Sequence, residues 1–293
     1  MDMKVLNKIT GSLLIIAMLF SLLSDACFAV TSDYTIKDGM LKAYTGTEKD
    51  LTIPNNLGIT RIEMYAFTNC ETLTSVTIPA NIEYIDSRAF MGCSRLTSIS
   101  VVSGNANYKS VSGVLFNKDI TQLVTYPFGK IGDYTIPSGV TEIQTMAFFG
   151  CQGLSSVAIP EGVKKIGDAA FAGCPLLTEV TIPASLEYLE NTTFGQCRAL
   201  IKIGVVKGNT NYASMDGVLF NKDMTELLCF PSGRAGSYKV PSSVRTIGNC
   251  AFNNCTLLFG VTIPLGITKI EADAFLMHRA DEGNHFVDCD KYQ

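Results

Sequence analysis

The feature that most limits what this chain can fold into is a proline that returns on schedule. The prolines closing each (V/L)-T-I-P-like tetrapeptide are Pro54, Pro79, Pro137, Pro160, Pro183, Pro241 and Pro264, spaced 25, 58, 23, 23, 58 and 23 residues apart. Pro79, Pro137 and Pro160 each recur 104 residues later. A block of short and long units has therefore been duplicated in tandem, and a period of this size is the mark of a stacked repeat architecture.

Within a 23-residue unit the apolar residues keep fixed columns. Val140, Ile143, Ala147-Phe148, Cys151, Leu154, Val157 and Ile159 are answered by Val163, Ile166, Phe171, Cys174, Leu177, Val180 and Ile182, and later by Val244, Ile247, Phe252, Cys255, Leu258, Val261 and Ile263. One such unit cannot close a core, but stacked on its neighbours it buries the same columns against those above and below. The L-x-x-V-x-I stretch is short, β-branched and alternating, which predicts one strand of a parallel sheet ended by a proline that has no N–H to give. The A-F-x-x-C stretch lacks that alternation and reads as a turn of helix or a tight bend. Val102 and Val206 lie 23 residues after Pro79 and Pro183 and complete nine strand positions, a stack of about 40 Å at the usual strand spacing.

Each 58-residue interval resolves into an ordinary unit and a long coil of 35 residues. The two long coils match: Gly104-Asn105, Asn107-Tyr108 and Gly113 to Asp119 (GVLFNKD) return as Gly208-Asn209, Asn211-Tyr212 and Gly217 to Asp223. Apolar residues on both sides of Asn-Lys-Asp predict a β-hairpin protruding from the stack. Another is expected at the start, with Tyr34 to Lys37 turning through Asp38-Gly39 into Met40-Leu41 to cap the first coil. Phe116, Tyr126, Phe220 and Phe230 near the hairpins are read as core filling.

The V/L-T-I-P-x-x-V-x-x-I-x-x-x-A-F-x-x-C-x-x-L unit, with its G-N-x-x-Y and G-V-L-F-N-K-D long coil, resembles the BspA-like subclass of leucine-rich repeats over residues 34 to 278. The resemblance implies a β-rich leucine-rich-repeat solenoid of short parallel strands with bends or helical turns, built of 23-residue coils plus two longer hairpin-bearing coils. It further implies an exported or surface protein of host-associated bacteria or parasitic protists, engaged in adhesion to host matrix proteins or other cells, with no reaction and no cofactor. The pattern fails at its end, where His278 replaces the column's Cys and Asp281 its Leu.

Before the repeats, Lys4 and Lys8 precede the apolar run Leu13 to Leu23, and Cys27-Phe28-Ala29 places small residues before a cut at Val30. That is the layout of a secretory signal peptide and is too short for a comfortable membrane span. The expected organisation is thus a signal peptide over 1–29, a hairpin cap over 30–53, the solenoid over 54–278 and a degenerate tail over 279–293. No membrane span is expected once the leader is cut. A lipid anchor on Cys27 is the less favoured alternative, because Leu23 sits one place too far upstream and Asp25 intervenes. A net charge of -4 with 17% charged residues leaves no basic stripe for nucleic acid, whereas 47% apolar residues suffice for a continuous core.

Ten cysteines in an exported chain ordinarily suggest disulfides. Six of them, Cys70, Cys93, Cys151, Cys174, Cys197 and Cys255, share one repeat column, where a small apolar thiol fits an interior row. One thiol per coil does not make a tetrahedral metal site. The two histidines, His278 and His285, lie in the tail away from any expected cleft, so no catalytic residue, metal or cofactor is assigned. The outward positions of the strands are hydroxyl-rich: Ser75, Thr77, Ser98, Ser100, Ser156, Glu179, Thr181, Lys202 and Thr262 are the candidate ligand-binding residues, although threonine also suits exposed strands on propensity alone. The function expected is adhesion to a protein or surface macromolecule, host matrix included, by a secreted or cell-surface protein. A structural spacer or fragment of a larger surface protein is the alternative, and a hydrolase on a repeat scaffold is the least supported.

Overall fold

A computed structural model describes residues 31–190 and 192–276 and the backbone of 287–289. The leader 1–29 with Cys27, the cut at Val30, and His278, Asp281 and His285 lie outside the described residues. The rest is a β-solenoid with almost no helix; the only helical turns among the described residues are 3-10 segments at Thr31–Asp33 and Asn55–Leu57. The A-F-x-x-C stretch is accordingly a bend, and its expected helical alternative is not realised.

All nine expected long strands are present: Asp50–Thr52, Ser75–Ile78, Ser98–Val101, Gly132–Thr135, Leu154–Ala158, Glu179–Ile182, Lys202–Val205, Gly236–Lys239 and Leu258–Ile263. The first begins ahead of Pro54, so residues of the expected cap already belong to the first coil. Val287–Cys289, within the tail, adds a parallel strand to Leu258–Ile263. A second ladder of two-residue strands escaped the sequence reading, with Arg61–Ile62, Tyr84–Ile85, Glu142–Ile143, Lys165–Ile166, Tyr188–Leu189, Thr246–Ile247 and Lys269–Ile270 each supplying one rung. Two residues are too few to show alternation.

Between the ladders, the Ala-Phe bend makes a third seam. The backbone N–H of the phenylalanine in one coil donates to the alanine carbonyl of the next, as in Phe67 to Ala89 and Phe148 to Ala170, both at 2.8 Å. The rings then stack, Phe148 on Phe171 with centroids 4.7 Å apart and Phe171 on Phe194 at 5.8 Å. The cysteine column closes the same seam from inside. Cys93 Sγ donates to the Phe67 carbonyl at 2.9 Å, Cys174 to Phe148 at 3.1 Å and Cys197 to Phe171 at 3.0 Å. All six ladder thiols are free and buried, and burial pushes those of Cys151 and Cys255 well up from the ordinary thiol range.

The long coils depart from expectation in an informative way. Tyr108–Val111, Val114–Asn117 and Gln122–Thr125 form an antiparallel meander, and its last strand joins the short ladder by pairing in parallel with Glu142–Ile143. The expected hairpin at Asn-Lys-Asp exists, but only its tip is exposed and it does not protrude. Val114, Phe116 and Leu123 pack into the central core segment, while Leu115 and Val124 pack into the N-terminal one. A strand apolar on both faces is a partition inside the solenoid. Val218 and Phe220 against Leu219 repeat this division between the central and C-terminal segments. Phe116, Tyr126, Phe220 and Phe230 are all buried, as core filling requires. At the N-terminus, Tyr34–Lys37 and Met40–Tyr44 form the expected hairpin through Asp38-Gly39, and the second of these strands pairs with Arg61–Ile62 to close the first coil.

Candidate functional site

In the strands that carry the candidates, the residues alternating with the buried Val, Ile or Leu point outward, and none of the nine candidate side chains is buried. Ser100, Ser156, Glu179, Thr181 and Lys202 are exposed, while Ser75, Thr77, Ser98 and Thr262 are half-buried. Register aligns them into rows. Asp50, Ser75 and Ser98 stand side by side, as do Thr52, Thr77 and Ser100. Five of these six residues carry a hydroxyl. Asp50 Oδ1 accepts from Ser75 Oγ at 2.6 Å and from Thr74 Oγ1 at 2.9 Å, and these bonds hold its carboxyl below the usual carboxylate range. Asp133 is lowered in the same way by Ser155 and Ser156. Glu179 and Lys202 face each other across neighbouring strands and form an ion pair at 3.2 Å.

The rows are not one continuous face. Among the described residues the long strands are hydrogen-bonded in groups of three, two, two and two, the last extended by Val287–Cys289. Leu154–Ala158 and Glu179–Ile182 remain packed neighbours without a shared ladder. The other two breaks are made by the turns of the inserted meanders. After Ser98–Val101 the stack meets the tight turn Ser112-Gly113 of the meander, and the Ile99 N–H donates to the Gly113 carbonyl at 2.8 Å instead of to a further strand. Both turn residues have positive φ, 52° and 78°, and a Cβ on Gly113 would lie 2.9 Å from Ser98 Oγ. Ile203 meets Gly217 in the same way at 2.9 Å. The strand face is therefore a set of separate blocks, two of the breaks being hairpin turns, where the sequence alone suggested nine adjacent positions.

The rung residues of the short ladder form a second outward surface that mixes charged and aromatic groups, such as Arg61, Tyr84, Lys165, Tyr188 and Lys269. The only sequence signal for it was the isoleucine that follows each of the charged ones and Tyr84. Among the described residues no group of three or more His, Cys, Asp or Glu could hold a metal ion, and no helix is long and apolar enough to cross a membrane.

Three comparisons set this geometry beside known proteins. The family model for the BspA type leucine rich repeat region matches in six copies, over residues 35–128, 118–228 and 223–279. No curated protein sequence matches. Among solved structures, the chain is similar to a leucine-rich repeat protein from Eubacterium ventriosum, with 25% identity and a TM-score of 0.59 over 82% of this chain and 67% of that one. It is also similar to the pneumococcal vaccine antigen PcpA, with 25% identity and a TM-score of 0.54 over 82% of this chain and 65% of that one. A leucine rich cell surface protein from Faecalibacterium prausnitzii gives 26% identity and a TM-score of 0.54, over 81% of this chain and 70% of that one. The chain thus spans about two thirds of the length of each of these structures. Because the family match runs through nearly every described coil, the chain belongs to the BspA-type leucine-rich-repeat family.

Proposed function

We propose that this chain is an exported binding protein that adheres at the cell surface to a macromolecule, host matrix protein included, through the outward face of its long strands, and that it catalyses no reaction. The observation that carries this reading is the first block of rows, where Asp50, Thr52, Ser75, Thr77, Ser98 and Ser100 align in register with short polar side chains. Such a surface gives hydrogen-bond partners at regular spacing with little side-chain entropy to lose on binding. Stacked repeats spread residues in rows, which suits extended contact and does not converge an acid, a base and a nucleophile. The cell-surface description of the Faecalibacterium relative and the leader-like residues 1–29 support the same address.

The test is direct. Full-length protein applied to immobilised extracellular matrix should bind saturably and leave the matrix components chemically unchanged. Cleavage of any component, or binding no better than to a blocked surface, would contradict the proposal. Recovered from its own cells, the protein should begin at or near Val30 outside the cytoplasm; a cytosolic protein still carrying Met1 would remove the export claim.

A further inference from the structure

The short ladder is interrupted once in each half of the molecule, and the first interruption leaves an open groove of about 480 Å³. Among the described residues, Tyr84–Ile85 has a strand partner on one side only. On the other side its Ile85 N–H donates to the Tyr108 hydroxyl at 2.8 Å. Tyr108 is set by buried Asn105, whose side-chain amide donates to the Pro79 and Ile82 carbonyls and accepts the N–H groups of Asn107 and Tyr108. The G-N-x-N-Y motif is thus a plug for the strand edge.

The two walls of the groove are polar and pre-arranged. On one, the Arg61 guanidinium lies 4.2 Å from the centre of the Tyr84 ring, and Arg88 grips Asp86 through two bonds of 2.8 and 2.9 Å. On the other, Gln122 donates to Glu142 at 2.9 Å, Gln144 reaches Gln122 at 3.4 Å, and Lys165 pairs with Glu142 at 2.9 Å. Each carboxylate in the groove has its own cation. No surplus charge is left for a phosphate or an acidic polymer.

An added peptide strand is disfavoured too, because the edge N–H at Ile85 is already taken and the groove offers few apolar pockets for alternate side chains. What remains is a trough of planar amide and ion-paired groups, donors and acceptors intermixed, with an aromatic ring at its edge. Groups of this kind match a ligand whose hydroxyls both donate and accept and whose ring C–H faces can lie on an aromatic.

The duplication supplies an internal control. The plug recurs as Asn209 and Tyr212, the latter bonded to the Leu189 backbone, yet the positions of Gln122, Glu142 and Gln144 hold Glu226, Thr246 and Gly248 there. The fold needs the plug in both halves. The second half folds without the amide wall.

We propose that the first groove binds a neutral saccharide, with Tyr84 as the ring platform and Gln122 and Gln144 hydrogen-bonding to sugar hydroxyls. The probes are maltopentaose, cellopentaose, laminaripentaose and tetra-N-acetylchitotetraose, titrated calorimetrically into the full chain, beside a heparin hexasaccharide and penta-alanine. At least one neutral probe should bind saturably. Replacing Gln122 and Gln144 by Ala should weaken it on the order of tenfold, the scale of two lost neutral hydrogen bonds, with the unfolding midpoint unchanged. Gln122→Glu, which installs the second half's residue, should weaken it as well; Tyr84→Ala is a third variant, whose folding is checked in the same way. Failure of all four neutral probes at millimolar concentration, binding of heparin or the peptide alone, or neutral binding indifferent to the glutamine changes would each overturn the proposal. None of these outcomes bears on adhesion through the long strands, which uses other residues.

Discussion

A phenylalanine in this fold is held from above and below as well as from within. Phe171 is completely buried, stacked between Phe148 and Phe194, and its carbonyl receives the Cys197 thiol. Phe171→Ala should therefore cost about 3–5 kcal/mol, the range for truncating a core aromatic, and urea unfolding would measure it. An unchanged midpoint would mean that the column is not interior. The cysteines make a companion prediction. Iodoacetamide should label Cys250, which is half-buried, well before the buried ladder thiols, because burial keeps those out of reach; Cys229, buried in a long coil, is also pushed up to about 12 by burial. Equal labelling of all of them in the native protein, or cross-links between neighbouring ladder cysteines, would contradict the buried row. At this scale the sequence was highly legible, because Phe and Cys recur in register and a repeated column of that chemistry has few places to go but inward.

The elements were legible in proportion to their length. Long strands carried enough alternation to be placed at all nine positions, and Asp38-Gly39 announced the first hairpin through its turn chemistry. The short ladder was hidden because a rung contributes at most one buried residue, an isoleucine in five of the seven. The meander was half seen: Asn-Lys-Asp marked one turn, but nothing local showed that Tyr108–Val111 pairs as well or that the middle strand is buried on both faces. Burial of that kind depends on which coils lie on either side. The second interruption of the short ladder gives a pH prediction of its own. Burial, and then the nearby Glu271, raise the Glu226 carboxyl above its ordinary value of 4.5. A raised folded-state value means that this group's contribution to stability is fully present below about pH 4.5 and is lost as pH rises through the folded value. Glu226→Gln, which installs the residue of the first half, should make the protein more stable at pH 7, with the difference vanishing below about pH 4.5. A stability gain that persisted unchanged at pH 3.5 would show that ionisation is not its source.

Across the whole molecule, the duplicated long coils do two things with one insertion. Their strands divide the core into three segments, and their Ser112-Gly113 and Asp216-Gly217 turns divide the strand face into blocks. The period was plain in the sequence; the division was not, because it depends on where a turn lands beside a distant strand. Adhesion through that face is the central claim, and weak contacts along several rows add up only for a partner that engages them together. The most direct measurement compares two folded variants for adhesion to immobilised matrix. In one, Thr77, Ser100, Thr181 and Thr262 all become Lys, placing charge on the outward rows while leaving the inward Val and Ile untouched. In the other, Asp119→Ala and Asp223→Ala alter both exposed hairpin tips and spare Asn117 and Asn221, whose side chains shape the turns. The account predicts that the lysine variant loses adhesion and the tip variant keeps it; loss in the tip variant with adhesion intact in the lysine variant would contradict it.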